Sequence, residues 1–246
     1  MSYQLTGDLD VNAHVGVILP TYCEAQNIAG LITEIEKLQL GTSILVIDDS
    51  SPDKTAEIVK NLQKKYSDIL LCIRPRKSGL GTAITDGFRI YLSLRNVPKR
   101  IVTMDADYSH DPKAIPLLMQ SMQPGVGVVV GSRYCHGGNT AGWSWTRKVI
   151  SRTANLAANS IVGLKLHDCT SGFRCYSTEF LKSAIDSLHS QTFEIQIETL
   201  KQAISRGFGV AEVPILFVNR KHGKSKFTSA EIQGYASYVL KTAKKS

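Results

Sequence analysis

Residues 100–107 read Arg-Ile-Val-Thr-Met-Asp-Ala-Asp, an apolar run that ends in two carboxylates. A short β-branched run of this kind predicts a buried strand. Asp105 and Asp107, two positions apart beyond the end of that strand, can both reach one hard divalent cation. Because Mg²⁺ and Mn²⁺ held by two carboxylates complete their coordination with substrate phosphates, the motif indicates a site for a metal–diphosphate. On its own, the same pattern also fits an ordinary surface loop.

The residues on either side of this stretch alternate between strand and helix patterns. Short apolar runs predict strands at 15–19, 43–47, 69–73, 101–104 and 126–130. Apolar side chains at helical spacing predict helices over 28–38, 54–66 and 82–94. This alternation predicts an α/β fold, with a Rossmann-like, mostly parallel sheet flanked by helices. Ligands of such sheets bind beyond the carboxyl ends of the strands, which is where Asp105 and Asp107 lie.

The second half of the chain is less regular, but nothing in it divides the protein. Its patterns predict helices over 146–162, 193–206 and 228–244, a strand over 209–218 and a mobile glycine-rich loop over 137–142. No internal repeat or low-complexity linker interrupts these elements, so we expect a single domain. We place this domain at 15–227, after an N-terminal extension at 1–14 and before a basic amphipathic helix at 228–246.

The composition indicates a globular protein with anionic partners. Of the 246 residues, 43% are hydrophobic and 20% are charged, and no apolar stretch is long enough to cross a bilayer. The net charge of +8 favours nucleic acid, anionic lipid or phosphorylated substrates. Five cysteines without a C-x-x-C pair predict neither a zinc site nor a disulfide framework, which fits a reduced, cytoplasmic compartment.

Other predicted strand ends carry side chains that suit a nucleotide. Glu24 follows the first strand and Asp49 the second, and either carboxylate can accept hydrogen bonds from a nucleobase or from ribose hydroxyls. Arginine binds phosphate in a bidentate manner, and Arg133, Arg174 and Arg220 are candidate cations of this kind. A substrate that meets metal on one side and cations on the other fits the departure of a phosphoryl-type leaving group.

Seven motifs occur in an order that resembles a known family. They are Pro-Thr-Tyr-Cys-Glu (20–24), Asp-Asp-Ser-Ser-Pro-Asp-Lys-Thr (48–55), Lys-Ser-Gly-Leu-Gly-Thr-Ala (77–83), Asp-Ala-Asp-Tyr-Ser-His-Asp-Pro (105–112), Gly-Ser-Arg-Tyr (131–134), Asp-Cys-Thr-Ser-Gly-Phe-Arg (168–174) and Arg-x5-Lys (220–226). Over residues 15–235 the chain resembles the dolichol-phosphate mannosyltransferase group of the inverting family-2 glycosyltransferases, in the short form without membrane helices. The resemblance implies a GT-A fold and transfer of mannose from GDP-mannose to dolichyl (polyprenyl) phosphate, which gives dolichyl β-D-mannosyl phosphate and GDP.

The resemblance also implies roles for individual residues. The catalytic set would be Asp107, Arg133, Arg220 and Lys226. The donor would be held by these four together with Pro20, Tyr22, Glu24, Ile47, Asp49, Asp105 and Ala106. Mg²⁺ or Mn²⁺ would be bound by Asp105 and Asp107, with Ser109 where some members have a glutamine ligand. The acceptor phosphate would be contacted by Arg152 and Ser171. Cys23 and Ser50 stand where asparagine and glycine are common, and neither departure removes a ligand.

Two other functions stay open from the sequence. A UDP-glucose-dependent polyprenyl-phosphate glucosyltransferase shares much of this motif set. Outside enzymes, the alternative is a basic nucleic-acid-binding protein, which the scattered positive charge argues against. The resemblance implies a cytoplasmic protein, peripheral on the cytosolic face of a membrane. We expect it to reach the lipid through the helix after Trp143 and Trp145 and the basic C-terminal helix, or through a membrane-anchored partner subunit.

Overall fold

The computed structural model describes residues 3–10, 12–163 and 166–220. An eight-stranded sheet has the order β1-β4-β3-β2-β5-β8-β6-β9, and a small second sheet pairs β10 with β7. The strands are β1 (Gln4–Thr6), β2 (Val15–Thr21), β3 (Thr42–Asp48), β4 (Ile69–Ile73), β5 (Arg100–Thr103), β6 (Val126–Ser132), β7 (Asn139–Ala141), β8 (Arg174–Ser177), β9 (Gly209–Pro214) and β10 (Leu216–Val218). The helices are α1 (Ile28–Glu36), α2 (Thr55–Gln63), α3 (Leu80–Ser93), α4 (Ile115–Gln120), α5 (Trp145–Val162), α6 (Thr178–Ala184) and α7 (Ile195–Ser205).

The large sheet is mostly parallel. Strands β2 to β6 and β9 run in one direction, whereas β1 at the edge and β8 in the interior run against their neighbours. Helices cover both faces, so neighbouring residues of one strand enter different cores. In β2, Val17 packs in the cluster that contains α1, and Ile18 packs in the cluster that contains α3. The predicted α/β fold in a single domain is therefore confirmed.

The sequence patterns predict no strand at β8. This strand matters for function because the segment before it contributes to the candidate active site. Its sequence, Arg-Cys-Tyr-Ser, is neither an apolar run nor a regular alternation. It is buried because β5 and β6 flank it, with Arg174 paired to both Thr103 and Val130. Since β8 runs antiparallel to these strands, the segment that precedes it lies beside their carboxyl ends. Elements β1, β7, α4 and α6 were also not predicted.

Other predicted segments differ in detail. The strand expected over 209–218 is interrupted at Ile215 and forms β9 and β10, and β10 pairs with β7. Because β7 lies within residues 137–142, the prediction of a mobile loop there is wrong in part. The predicted N-terminal extension contributes β1, which pairs with β4. The predicted C-terminal helix and Lys226 lie outside the described residues. Among the helices that are described, none is long and apolar enough to span a membrane.

Glu36, the last residue of α1, makes the stability of the fold depend on pH. Burial, followed by the charge of Asp68, raises its pKa to about 7. Its Oε1 atom is buried and has no hydrogen-bond partner in the part of the chain described. A carboxyl whose pKa is raised by folding stabilises the folded state at low pH, and this contribution is lost as the pH rises through about 7.

Glu36→Gln is expected to raise the free energy of unfolding by about 1 kcal/mol at about pH 8, because the neutral amide avoids the cost of burying a charge and solvent screens part of that cost. At about pH 4 the difference should vanish, because Glu36 is then protonated in both the folded and unfolded states. Urea denaturation across this pH range measures the effect, with the exposed Glu57→Gln as a control. An equal difference at both ends of the range would contradict this role of Glu36.

Candidate active site

The candidate site lies along one edge of the large sheet. The chain segments that follow β2, β3, β4, β5 and β6 meet there because these strands share one direction. Residues 168–173 reach the same edge from the opposite direction, since they precede the antiparallel β8. Predicted site residues from both halves of the chain are thereby brought together.

The two aspartates after β5 lie in a tight turn, which we call the acidic turn (residues 105–109). Asp107 is buried, and its Oδ1 accepts the N–H of Ser109 at 3.0 Å. Asp105 keeps 40% of its side chain exposed, and its N–H donates to Nδ1 of His110 at 3.1 Å. Tyr108 holds a left-handed backbone conformation with φ of 64°. One carboxylate is therefore fixed within the turn, and the other faces outward.

His110 supports the acidic turn as a neutral side chain. Its ring stacks on Phe173 with centroids 5.0 Å apart. Burial lowers the pKa of His110 to about 4, although the charge of Asp107 acts in the other direction. Because Nδ1 accepts the N–H of Asp105, the proton of the neutral ring is on Nε2. This Nε2–H group is buried and finds no hydrogen-bond partner among the described residues.

Arg133, which follows β6, is paired with Asp168 from the segment before β8. Nε and Nη2 of Arg133 donate to the two oxygens of Asp168 at 2.7 and 2.8 Å. The same buried carboxylate accepts the N–H groups of Arg133, Thr170 and Ser171. Burial opposes charge on both side chains, but their pairing outweighs it, so the pKa of Arg133 is raised and that of Asp168 is lowered. The pair is thus ionised, and it fixes the segment before β8.

Three arginines lie around the acidic turn: Arg133, described above, Arg147 and Arg220. Arg220, after β10, places Nη2 3.2 Å from Oδ2 of Asp107. Arg147, in the first turn of α5, lies over the ring of Trp143 at 4.1 Å from its centroid. Burial, followed by the charges of Arg133 and Arg220, lowers the pKa of Arg147. The contribution of the two arginines to this lowered pKa shows that positive charges surround Arg147, which favours a bound anion.

Arg147 is a candidate site residue that the sequence predictions did not include. In the sequence it belongs to a basic pair with Lys148 that also fits a solvated helix face. The signal that could have found it is the start of α5. Ser144 caps this helix by accepting the N–H of Arg147 at 3.3 Å, and Trp143 stands directly before the cap. These neighbours orient Arg147 toward the other arginines.

The segments after β2 and β3 form the second part of the site. Pro20 and Ile47 are register partners on these strands, so the residues that follow them leave the sheet side by side. Nζ of Lys77 lies 5.0 Å from the centroid of the Tyr22 ring. Glu24 is buried and accepts a hydrogen bond from Nδ2 of Asn27 at 2.8 Å. An aromatic face and a carboxylate therefore both follow β2 here, as predicted for a nucleoside site.

Asp49, in the same part of the site, is held by a buried arginine. Nε and Nη2 of Arg74 donate to its two oxygens at 2.6 and 2.9 Å. Arg74 also bonds to Thr82 and Asp86 on α3, which fixes the guanidinium from behind. Oδ2 of Asp49 also accepts the N–H of Ser78 at 3.4 Å, whereas Oδ1 has a further lone pair with which it can accept a donor from a ligand. Arg74 therefore positions the predicted base contact and is not part of a solvated basic cluster.

This geometry can be compared with known proteins. Residues 16–192 match the family described as Glycosyl transferase family 2. The chain belongs to this family. It is 36% identical to polyprenol monophosphomannose synthase of Mycolicibacterium smegmatis, over 88% of this chain and 82% of the relative. It is 32% identical to undecaprenyl-phosphate mannosyltransferase of Micrococcus luteus, over 86% of each chain. The resemblance to polyprenyl-phosphate mannosyltransferases is thus confirmed.

Solved structures show the same fold. Glucosyl-3-phosphoglycerate synthase from Mycobacterium tuberculosis, in complex with Mn²⁺, UDP and glucosyl-3-phosphoglycerate, aligns with a TM-score of 0.64 and 19% identity, over 96% of this chain and 80% of that one. A mannosyltransferase from Pyrobaculum calidifontis, in complex with GDP-Man and Mn²⁺, aligns with a TM-score of 0.61 and 15% identity, over 98% of this chain and 68% of that one. The likeness at these identities concerns the fold, and the expected GT-A type is confirmed.

In this family 2 glycosyltransferase, the acidic turn offers part of the ligand set that Mg²⁺ or Mn²⁺ needs. Across the described ranges, no three His, Cys, Asp or Glu side chains cluster as they would around a metal held by protein alone. Asp105 and Asp107 offer two hard oxygen ligands, and such a cation fills its remaining positions with water and substrate phosphate. The N–H of the buried Ser109 is used by Asp107, and metal binding by Ser109 stays a prediction.

The structure limits the roles of some predicted residues. Ile47 and Ala106 lie in the core and are exposed by 0% and 3%, so neither residue presents a surface to the donor in this structure, and their donor contacts stay predictions. The prediction of Arg174 as a cation for the substrate is wrong. This arginine is fully buried and donates to three main-chain carbonyl groups, which ties the segment before β8 to α7.

The predicted acceptor contacts differ in exposure. Arg152 is exposed on α5, with its guanidinium carbon 5.8 Å from the centroid of the Tyr134 ring. Ser171 is buried, and its N–H donates to Asp168. The roles of both residues stay predictions, as does that of Lys226.

Gly30 on α1 packs closely against Tyr108, so a substitution at Gly30 can test the role of the acidic turn. A Cβ atom at Gly30 would lie 2.3 Å from the hydroxyl oxygen of Tyr108 and 3.5 Å from its Cζ atom. In Gly30→Ala the side chain of Tyr108 must therefore shift, and Tyr108 is the residue next to Asp107 in the acidic turn. We expect kcat/KM for sugar transfer to fall by about tenfold to a hundredfold, because a shift of Tyr108 that reaches Asp107 misplaces the carboxylates predicted to bind the metal.

The double variant Gly30→Ala/Tyr108→Phe is expected to recover most of this activity. Phenylalanine removes the clashing hydroxyl and leaves the next atom at an ordinary contact distance. Tyr108→Phe alone is the control for loss of the hydroxyl itself. A double variant as impaired as Gly30→Ala would show that this contact is not the cause.

Proposed function

We propose that this glycosyltransferase transfers mannose from GDP-mannose to a polyprenyl (dolichyl) phosphate and releases GDP. The observation that carries the proposal is the meeting of two carboxylates, Asp105 and Asp107, with three arginines at one edge of the sheet. A nucleotide diphosphate and a phosphomonoester must approach each other in this reaction, which requires a strongly positive site beside a metal. The names of the two curated relatives support mannose as the sugar and a polyprenyl phosphate as the acceptor.

The nucleoside of the donor fits the segments after β2 and β3. The Tyr22 ring offers a stacking face, and Glu24 and Asp49 offer acceptors for the N–H groups of guanine and for ribose hydroxyls. Because these segments lie beside the end of β5, the diphosphate of a donor bound there extends toward Asp105 and Asp107.

The proposed reaction is one displacement at the anomeric carbon. An oxygen of the acceptor phosphate forms a bond to C1 as the bond between C1 and the diphosphate oxygen breaks, and the electron pair of that bond leaves with GDP. Attack opposite the leaving group converts an α-linked donor into a β-linked product. The second pKa of a phosphomonoester is about 6, so the nucleophile is largely ionised at neutral pH and needs no general base. A site rich in arginine, with His110 buried and neutral, suits this chemistry.

The charged side chains can be divided between the two phosphates. Mg²⁺ or Mn²⁺ held by Asp105 and Asp107 would supply charge stabilisation for the departing diphosphate. Arg220 is assigned to the same leaving group, since it is 26% exposed and lies beside Asp107. Arg147 is assigned to the acceptor phosphate because the charges of Arg133 and Arg220 act on it. Arg152, whose guanidinium lies near the Tyr134 ring, is assigned to the same phosphate as the sequence predicts. Arg133 adds positive charge between the two groups while Asp168 anchors it.

Helix α5 also carries an exposed apolar stripe that suits a lipid surface. Trp145, Val149 and Leu156 are exposed by 77%, 41% and 72%, and their spacing places them on one side of the helix. Arg152 lies on the same side, where it can meet anionic headgroups. An exposed apolar patch of this kind marks a contact surface. We therefore place the membrane contact on the side of α5 that carries Arg152.

Trp145→Ser/Val149→Ser/Leu156→Ser is expected to reduce flotation with liposomes that contain anionic lipid by at least about tenfold, because the variant loses three of the four large apolar side chains that are exposed on the described part of α5. Binding of GDP should be retained. Leu117→Ser, which changes a leucine exposed by 39% on α4, is the matched control. Undiminished flotation of the triple variant would assign membrane contact to another segment or to a partner subunit.

Donor choice and stereochemistry test the proposed function. The protein is incubated with a polyprenyl phosphate in detergent and Mn²⁺, with GDP-mannose and UDP-glucose offered separately and in competition. We expect mannosyl transfer that excess UDP-glucose does not suppress, and a β-linked product by NMR. Preference for UDP-glucose would contradict GDP-mannose as the donor. An α-linked product would contradict a single inverting displacement.

A further inference from the structure

Gln196, in the first turn of α7, is a buried amide without hydrogen-bond partners. Its exposure is 1%, and neither Oε1 nor Nε2 bonds to any group in the described ranges. Two other buried polar residues nearby on α7 have hydrogen-bond partners. Glu198 accepts the N–H groups of His189 and Ser190, and Thr199 accepts a hydrogen bond from Arg174. Native proteins rarely leave both ends of a buried amide unpaired, so Gln196 requires an explanation.

The amide of Gln196 lies at the acidic turn. A Cβ atom built on Gly172 would lie 3.5 Å from Nε2 of Gln196, 3.7 Å from Oδ1 of Asp105 and 4.0 Å from Cε1 of His110. These three side chains therefore border one space above Gly172, and the unpartnered Nε2–H of His110 lies on the atom next to Cε1. Asp105 is 40% exposed and borders this space, whereas the polar atoms of Gln196 and His110 are covered, so a ligand reaches them when the Asp105 side chain moves aside. Two unpaired buried polar groups thus converge beside the expected position of the diphosphate.

We infer that the Gln196 amide binds a hydroxyl group of the hexose that is transferred, with the Nε2–H of His110 beside it. The inference rests on the proposed function, because the hexose is the group attached to the diphosphate that Asp105 would face. A hydroxyl group both donates and accepts, and an amide offers one group of each kind at a fixed separation. Gln196 then determines sugar specificity, because a donor without the matching hydroxyl leaves buried polar groups unpaired.

Gln196→Leu separates this role from a structural one. Leucine keeps most of the volume and removes both polar atoms, so the thermal unfolding midpoint should stay unchanged or rise. With Mn²⁺ present, we expect the ratio of the Kd for GDP-mannose to the Kd for GDP to rise by about tenfold, and the Kd for GDP to change by less than about twofold. An unchanged ratio would overturn the inference. A lower midpoint with an unchanged ratio would show that the amide supports the fold instead.

Deoxy analogues identify the hydroxyl group. GDP-mannose analogues that lack the hydroxyl at C2, C3, C4 or C6 are compared with GDP-mannose in transfer assays. In the wild type we expect one analogue to lose about tenfold or more in kcat/KM, and in Gln196→Leu we expect that penalty to shrink to less than about twofold. Gln202→Leu, at a partly exposed position on the same helix, should keep the wild-type pattern. Identical penalties in wild type and Gln196→Leu would contradict the inference.

Failure of this inference can be distinguished from failure of the proposed function. The binding comparison needs neither an acceptor nor turnover, so it is measured independently of transfer by the wild type. Absence of transfer by the wild type would count against the proposed function. Transfer by the wild type with an unchanged Kd ratio in Gln196→Leu would count against Gln196 only.

Discussion

Asp107→Asn is expected to lower kcat for mannosyl transfer by at least about a thousandfold, while the fold is retained. Asparagine keeps a side-chain oxygen that can accept the N–H of Ser109, so the acidic turn survives. The substitution removes the charge that a divalent cation needs and that Arg220 faces at 3.2 Å. Transfer at saturating Mn²⁺ and the thermal unfolding midpoint are measured on the same preparation.

Asp111→Asn is the matched control for this change of charge. Asp111 is an exposed carboxylate close to the acidic turn, and it caps the short helical turn that follows by accepting the N–H of Lys113. Its replacement should change kcat by less than about twofold, because it lies outside the site. Substantial turnover by Asp107→Asn with Mn²⁺ supplied would contradict the metal assignment.

Asp168→Leu is expected to lower the free energy of unfolding by about 3–5 kcal/mol and to abolish transfer. The substitution leaves the guanidinium of Arg133, exposed by 8%, without its counter-charge. It also removes the acceptor for the N–H groups of Thr170 and Ser171, so the segment before β8 loses its anchor. Urea denaturation and a transfer assay measure the two effects.

The double variant Arg133→Met/Asp168→Leu separates the stability of this ion pair from its function. It leaves no unpaired charge, so it should be more stable than Asp168→Leu by at least about 2 kcal/mol. Transfer should stay lost, because the guanidinium of Arg133, which is assigned to the phosphates, is also gone. A double variant no more stable than Asp168→Leu would contradict the ion-pair explanation, and recovered transfer would contradict a role of Arg133 at the phosphates.

The parallel part of the sheet could be predicted because its strands are buried on both faces. Such strands must be apolar throughout, and residues 69–73, predicted as a strand, are the whole of β4. Strand β8 could not be predicted in this way, because its place depends on the two strands that enclose it. The same holds for β7 and β10, whose three-residue pairing is set by how distant segments meet.

Within the site, residue types and their order could be predicted, but the partner of each charge could not. Asp107 and Arg220 were both predicted, and the structure brings them to 3.2 Å. Arg174 and Arg147 show the limit. A buried environment directs every observed bond of Arg174 into the protein, whereas the start of α5 brings Arg147 to the other arginines. These differences arise from tertiary packing, which local sequence patterns do not encode.

The most direct test is transfer of labelled mannose from GDP-mannose to a polyprenyl phosphate, with and without a chelator. We predict lipid-linked mannose that forms only when the polyprenyl phosphate and Mg²⁺ or Mn²⁺ are present, disappears with EDTA and returns when the metal is restored. Full transfer in EDTA would contradict a metal at Asp105 and Asp107. No transfer from GDP-mannose under any of these conditions would contradict the proposed function.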